Sequence, residues 1–376
     1  MVESRRRLAR RVGAPLGVLL AVALAAAACG SSTVASSNPL SGGALPTGIV
    51  VSNPSTIPAV LPAATSTPAP VTAPDGETAA DAQALQSQMV SVIKRLTPAV
   101  VVIETDSGLG SGVIYDTAGH IVTNAHVVGT SKTFKVTLSS GRVYTGTLVG
   151  SFTPDDIAVI RISAPGLTPA VFGDSSQLAV GDFTLAMGSP LGLQSSVTEG
   201  IVSALGRAVA EPGGNALPDV IQTSAAINPG NSGGALVDLA GQVIGIPTLA
   251  ASDPQIGGSA PGIGFAISSN RARVIADQLI ASGHVTHSGR AYLGVQLGDT
   301  NQGVGVFSVV AGGPSRKAGM QAGDLILSID GRDTPDSGTL AEIVAKLHPG
   351  EVVKVAVQHK NGTRATLSVT LGEMPG

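Results

Sequence analysis

Apolar residues along most of this chain fall into short, β-branched runs cut by polar turn residues, and only a few stretches carry the spacing of a helix. The first series of runs is Val100–Glu104, Gly112–Tyr115, His120–Thr123, Phe134–Leu138 and Ile157–Ile162. The second is Phe183–Met187, Val197–Ala204, Ile221–Thr223, Ala235–Val237, Val243–Thr248 and Gly264–Ile267. Many short strands with a turn about every 8–12 residues predict a sandwich or barrels. Helical spacing brackets the two series. Asp81–Leu96 sets Leu85, Met89, Val92, Ile93 and Leu96 on one face and stops before Pro98. Asn270–Ser282 repeats the pattern with Val274, Ile275, Leu279 and Ile280, and Gly283 is placed to end it. Beyond residue 289, Leu340–Leu347 reads as a helix, and Val352–Gln358 and Arg364–Leu371 read as a hairpin around Asn361-Gly362.

The N-terminal pattern is different. Arg5, Arg6, Arg7, Arg10 and Arg11 precede an apolar run from Val12 to Ala28, followed by Cys29-Gly30-Ser31-Ser32. A basic start, an apolar stretch and small residues before a break describe an export signal over residues 1–28. The run holds 17 residues, at the lower limit for crossing a bilayer, so an uncleaved anchor with its arginines inside is a rival reading. Residues 29–80 are dominated by Ser, Thr, Pro, Ala and Gly. Such a segment cannot bury enough apolar surface to offset the entropy of ordering it. It is expected to be a disordered spacer that holds the folded part away from a membrane.

Composition narrows the function classes. Charged residues are 12% of the 376, about half the usual share, and Gly and Val are abundant, which favours strands and tight turns over long surface helices. A formal net charge of −3 gives no case for a nucleic-acid partner, which calls for a basic patch. Cys29 is the one cysteine, so no intrachain disulfide can form and a disulfide-built secreted scaffold is excluded. His284 and His287 are close in sequence, but no third ligand and no His-Glu-x-x-His pattern accompanies them. No metal and no cofactor is expected.

Three segments carry candidate chemistry. Thr123-Asn124-Ala125-His126-Val127-Val128 ends one predicted strand, Asp155-Asp156-Ile157-Ala158-Val159-Ile160 opens another, and Asn228-Pro229-Gly230-Asn231-Ser232-Gly233-Gly234 is a Gly-rich turn in the second series. Taken singly, each has a structural explanation: a core histidine, a capping aspartate, a flexible loop. Together, in the order His, Asp, Ser, they match what serine nucleophilic catalysis needs. That chemistry requires a base within reach of the hydroxyl, a carboxylate to set the base's tautomer, and a turn whose N–H groups face the developing oxyanion.

With Gly110-Ser111-Gly112-Val113-Ile114, Gly188-Ser189-Pro190-Leu191-Gly192-Leu193, Ser196–Ser203 and Gly262–Ile267, these segments resemble an HtrA-type serine protease over residues 85–376. The resemblance implies a mostly β fold: a two-barrel, chymotrypsin-like protease domain over 81–285 and a small α+β PDZ domain over 288–376. It implies Ser232 as nucleophile, His126 as general base, and Asp156, rather than Asp155, as the residue that orients His126. The turn Gly230-Asn231-Ser232 would form the oxyanion hole, with the N–H groups of Gly230 and Ser232 as donors. Ala226 would lie at the base of the primary pocket, with Ile227 and Ile263 lining it, so cleavage after small or medium aliphatic residues is expected. The Gly264–Ile267 strand, with Gly264 and Phe265, would pair with an extended substrate. Two residues depart from the family pattern: Ser224 stands where an acidic residue is common, and Pro247 where Asn is. Both bear on how the activation loops are held.

The C-terminal part resembles the PDZ domain of the same family. Its Tyr292-Leu293-Gly294-Val295 loop would receive a C-terminal carboxylate, with the peptide added as a strand. Cys29, directly after Ala26-Ala27-Ala28, resembles a bacterial lipobox with Ala26 where Leu is usual; lipidation at Cys29 is the first expectation, with plain cleavage and an uncleaved anchor as the others. The implied function is a cell-envelope endopeptidase, exported and membrane-tethered (or secreted), acting on unfolded or misfolded proteins. A catalytically silent chaperone or adaptor on the same scaffold is the alternative. Trimers are frequent in the family, which makes the Asp81–Leu96 helix a candidate contact for a homotrimer.

Overall fold

A computed structural model of the chain describes residues 76–376 except 107, 189–195, 211–215, 229 and 254–257. The export signal over 1–28, Cys29, and residues 29–75 of the expected spacer lie outside the described residues. The fold opens on α1 (Gly76–Leu96), which starts five residues before the expected Asp81. Val92 and Leu96 are buried. Gln88 Nε2 and Arg95 Nη2 donate to the carbonyls of Leu239 and Ala240, which ties the helix to a turn far along the chain.

The first strand series closes into a barrel of β1 (Val100–Thr105), β2 (Gly108–Ile114), β3 (His120–Thr123), β4 (Thr133–Thr137), β5 (Val143–Phe152) and β6 (Ile157–Arg161), ordered β1-β2-β3-β6-β5-β4. Ile103, Ile114, Ile121, Val136 and Ile160 fill its interior with no exposed surface. Burying such a side chain contributes about 1.5–3 kcal/mol. The strand pattern in the sequence missed β5. Its Thr and Gly residues leave most of it partly exposed, so few apolar positions mark it. Gly150 is required there because a Cβ would strike the Gly283 carbonyl and Leu279.

The second series forms another closed barrel from β7 (Phe183–Gly188), β8 (Ser196–Ala210), β9 (Ala216–Thr223), β10 (Ala235–Val237), β11 (Val243–Asp253) and β12 (Gly258–Ser268), ordered β10-β11-β12-β9-β8-β7. The two-barrel, mostly β expectation is therefore met. One buried cluster joins both barrels to α1 and to α3 (Ser269–Ser282): Val100, Val122 and Val159 from the first barrel meet Leu185, Val237 and Phe265 from the second, with Ile275 and Leu279 of α3. Gly283 ends α3 at φ 78°, its N–H bonded to the Leu279 carbonyl. The short α2 (Ala125–Val128) follows β3.

The C-terminal domain holds β13 (Ala291–Tyr292), β14 (Val295–Thr300), β15 (Gly303–Val309), α4 (Pro314–Lys317), β16 (Leu325–Ile329), β17 (Arg332–Asp333), α5 (Ser337–Ala345), β18 (Val352–Gln358), β19 (Arg364–Thr370) and β20 (Gly372–Glu373). Its main sheet runs β14-β15-β16-β18-β19 over a separate core of Val304, Ile326, Leu340 and Val355. Asp336 caps α5 by accepting from Thr339 N–H at 2.7 Å. The expected hairpin turns at Gly362, whose φ is 86°. Helix α5 lies against β8 and β9, so the domain rests on the second barrel. Among the described residues no helix is long and apolar enough to cross a membrane.

Candidate active site between the barrels

Asp156 follows the one-turn helix Thr153–Asp155 and takes a left-handed conformation, φ 52° and ψ 38°. Side chains other than Asn and Asp resist that region. Its carboxylate is almost fully buried and accepts three hydrogen bonds. Oδ1 accepts from the His126 backbone N–H at 2.9 Å. Oδ2 pairs with His126 Nδ1 at 2.8 Å and accepts from Thr248 Oγ1 at 2.5 Å. An ionised carboxylate can only accept, so Nδ1 carries the ring proton and Nε2 keeps its lone pair. The His126 side chain is 49% exposed against 6% for Asp156, so the imidazole faces the cleft while its partner is withdrawn from water. Asn124, fully buried, donates its side-chain amide to the Asp156 carbonyl at 3.0 Å.

Ser232 lies on the turn between β9 and β10. The Asn231 N–H bonds the Asn228 carbonyl at 2.9 Å, and Gly230 between them has φ 102°. Ser232 Oγ lies 3.3 Å from the Thr248 carbonyl oxygen, and Gly233 N–H donates to the Pro247 carbonyl at 3.0 Å. Residue 248 thus touches two predicted triad members: its hydroxyl reaches Asp156 and its carbonyl reaches Ser232. Neither Thr248 nor Asn124 was singled out from the sequence. Thr248 sits in a strand run with nothing to mark it beyond a hydroxyl among apolar residues.

Asp155, the neighbour that the sequence sets aside, has its own partners. It is 1% exposed. Arg271 of α3 reaches Oδ2 with Nε at 2.6 Å and Nη2 at 2.5 Å, and Arg290 Nη1 reaches Oδ1 at 3.1 Å. Arg290 also donates to the carbonyls of Pro154 and Ala216. Burial pushes the Asp155 carboxyl above the ordinary range, while the two guanidinium groups pull the other way.

The expected substrate residues are placed unevenly. The Ala226 carbonyl accepts from Asn231 Nδ2 at 3.2 Å and Thr198 Oγ1 at 2.9 Å. Ile227 is buried, Ile263 is 38% exposed, and a Cβ on Gly264 would run into Ile227. Phe265 is buried in the core shared by the barrels, so its side chain is not at the surface. The expected pairing of substrate with Gly264–Ile267 needs correction. This stretch already has strand neighbours on both sides, Val220–Thr223 of β9 and Gly245–Ala250 of β11, and its main chain offers no edge. The stretch of β11 that passes Ser232 is different: its pairing to β10 ends at Gly245, and among the described residues no strand pairs with the side of β11 away from β12 beyond that point. Ser224 accepts from the Ile201 N–H at 3.0 Å, which ties its loop to β8. Pro247, which has no N–H to contribute to a ladder, sits at a bulge in β11.

Tyr292, Leu293, Gly294 and Val295 line one end of a groove whose far wall is Leu340 and Val344 of α5. The loop is braced from behind, with Ser315 N–H on the Leu293 carbonyl and Val310 N–H on the Gly294 carbonyl. Ala216 of the second barrel and Arg290 also border the groove. Among the described residues, no cluster of His, Cys, Asp and Glu is arranged to hold a metal ion.

Residues 110–246 match a trypsin-like peptidase domain and residues 291–371 a PDZ domain. The chain is 41% identical over 306 residues to serine protease PepD of Mycobacterium tuberculosis, covering 75% of this chain and 65% of that one. It is 40% identical over 275 residues to the periplasmic pH-dependent serine endoprotease DegQ of Escherichia coli, covering 70% and 59%. The match therefore spans less than two thirds of either relative. Against serine endoprotease DegS of Escherichia coli the identity is 39% over 280 residues, covering 71% of this chain and 77% of that one. Among solved structures, the HtrA-type protease AlgW with decapeptide superposes with a TM-score of 0.54 at 33% identity, covering 76% of this chain and 99% of that one. A trypsin-like domain, a following PDZ domain and this level of identity across both place the chain in the HtrA family of serine proteases.

Proposed function

We propose that this chain is a serine endopeptidase acting outside the cytoplasm on unfolded or misfolded proteins, with a PDZ domain that takes C-terminal peptides for delivery or activation. The observation that carries the reading is the hydrogen-bonded set around Asp156, which fixes His126 with Nε2 as its basic atom and is joined through Thr248 to Ser232 on a glycine-rich turn. In this reading Ser232 Oγ attacks the scissile carbonyl carbon and gives its proton to His126 Nε2. The carbonyl oxygen becomes an oxyanion facing the N–H groups of Gly230 and Ser232. His126 returns the proton to the leaving nitrogen as the C–N bond breaks, and water repeats the sequence on the acyl-enzyme. The substrate runs extended beside Thr248–Ala250, the strandless side of β11, which favours unfolded chains. Without a carboxylate at Ala226, a basic residue finds no partner in the primary pocket, and Ala, Val or Leu is preferred there. The periplasmic setting named for the DegQ relative and the N-terminal Arg and apolar run support export, with Cys29 as the proposed lipid attachment point.

The test incubates the full chain with labelled casein, with and without added C-terminal peptides, before and after treatment with a phosphonofluoridate. Expected are one covalent adduct, on Ser232, loss of cleavage with it, and products ending in small aliphatic residues. Folded protein that takes no adduct and cleaves nothing under any condition would favour the chaperone or adaptor reading. Thr248→Val gives a further check. A hydrogen bond to a charged group is worth about 1.5–3 kcal/mol, so losing the one to Asp156 should lower kcat by roughly tenfold or more, with KM little changed.

A further inference from the structure

Ser111 stands in the Gly110-Ser111-Gly112 segment of β2 and has no exposed surface. It belongs to the first barrel, yet its polar groups are committed to the nucleophile turn of the second. Ser111 Oγ donates to the Gly230 carbonyl at 2.5 Å. Ser111 N–H donates to the Ser232 carbonyl at 2.9 Å. Its own carbonyl accepts from Thr123 Oγ1 at 2.7 Å, three residues before His126. The two residues whose N–H groups form the proposed oxyanion hole therefore both have their carbonyls held by this one serine.

We infer that Ser111 is a positioning residue for the oxyanion hole, acting by fixing the Gly230-Asn231-Ser232 main chain from the opposite barrel. The inference rests on the protease reading above. A donor aimed at an oxyanion must not reorganise as charge develops. Gly230, at φ 102°, has no side chain to restrain it and is the freest link in the turn. Its peptide to Asn231 is held at one end by the Asn231 N–H bond to Asn228 and at the other by Ser111 Oγ. The two bonds lie in one chain, Ser111 hydroxyl to Gly230 carbonyl and Asn231 N–H to Asn228 carbonyl, and such chains reinforce each other. The backbone bond to Ser232 survives any substitution except proline, so the hydroxyl's share is separable. The packing around this contact is close: a Cβ on Gly233 would meet the Ser111 carbonyl and the Thr123 hydroxyl.

Ser111→Ala removes only the hydroxyl. The expected result is a fall in kcat of about 10- to 100-fold, less than the roughly 10²–10³ for deleting a hole donor outright, with KM within about threefold. Affinity for a peptidyl boronate, whose tetrahedral adduct occupies the hole, should fall by a similar factor, while a cleavage-product peptide should bind as before. Ser111→Cys, of similar size with a weaker donor, should fall between. A merely structural role would lower the melting temperature without separating boronate from product binding. Unchanged kcat in folded Ser111→Ala, or a lowered kcat with unchanged boronate affinity, would overturn the inference while leaving the protease reading intact. Should wild type show no cleavage that depends on Ser232, the protease reading fails first and the hole with it.

Discussion

Ser232→Ala is expected to reduce kcat by as much as about a million-fold, leaving a folded protein that still binds substrate. The loss is that large because the hydroxyl is the bond-forming atom. With it gone, the base fixed at His126 has no proton to take, and only background attack by water remains, helped by the hole and by binding. The change deletes one half-buried oxygen that lies 3.3 Å from the Thr248 carbonyl, so stability should hardly move. The experiment compares casein turnover and thermal melting of the two proteins at matched concentration. Variant turnover within a few-fold of wild type would remove Ser232 from the chemistry altogether.

Asp156→Asn is the second large effect, with kcat expected to fall by about 10⁴-fold. The mechanism can be read from the three donors around the carboxylate. Asparagine must place its NH2 where one of the two oxygens now stands. At the Oδ1 position it would face the His126 backbone N–H, a donor against a donor with no way to adjust. At the Oδ2 position it faces His126 Nδ1 and the Thr248 hydroxyl, and both can switch to accepting. The amide therefore settles there, and Nδ1 becomes an acceptor. The ring proton moves to Nε2, and the atom that should receive the Ser232 proton is already occupied. Steady-state kinetics of the variant on a small peptide ester and on casein should show the loss in kcat, with near-wild-type melting. A loss confined to KM would contradict the tautomer argument.

The barrels were legible because their strands are short, β-branched and punctuated, and the nucleophile turn was legible because glycines cluster around one serine. The end of α3 followed from Gly283. What escaped reading were contacts between segments distant in sequence. Strand β5 carries Thr and Gly on a half-exposed surface, so its partners rather than its own apolar pattern make it a strand. Thr248 and Ser111 act through single hydroxyls whose targets lie 92 and 119 residues away. Periodicity cannot report such pairs. The supposed role of Gly264–Ile267 as a substrate partner failed for a related reason: whether a strand has a free edge depends on the order of strands in the sheet, which is a property of the closed barrel. Asp155 looked like a spare acid beside Asp156, and its meaning emerged only with Arg271 and Arg290 in place.

That buried carboxylate blurs the border between the domains. By sequence the peptidase ends near residue 285 and the PDZ domain begins near 288, yet Arg290 passes the border to share Asp155 with Arg271 and to hold the carbonyls of Pro154 and Ala216. Without Arg290, Asp155 keeps Arg271 as its partner but loses one of its two guanidinium groups, and the buried carbonyls of Pro154 and Ala216 lose a donor. A peptidase severed from its PDZ domain ahead of Arg290 is therefore not the same molecule minus an appendage. It is a weakened one, and it should melt below the same domain in the full chain.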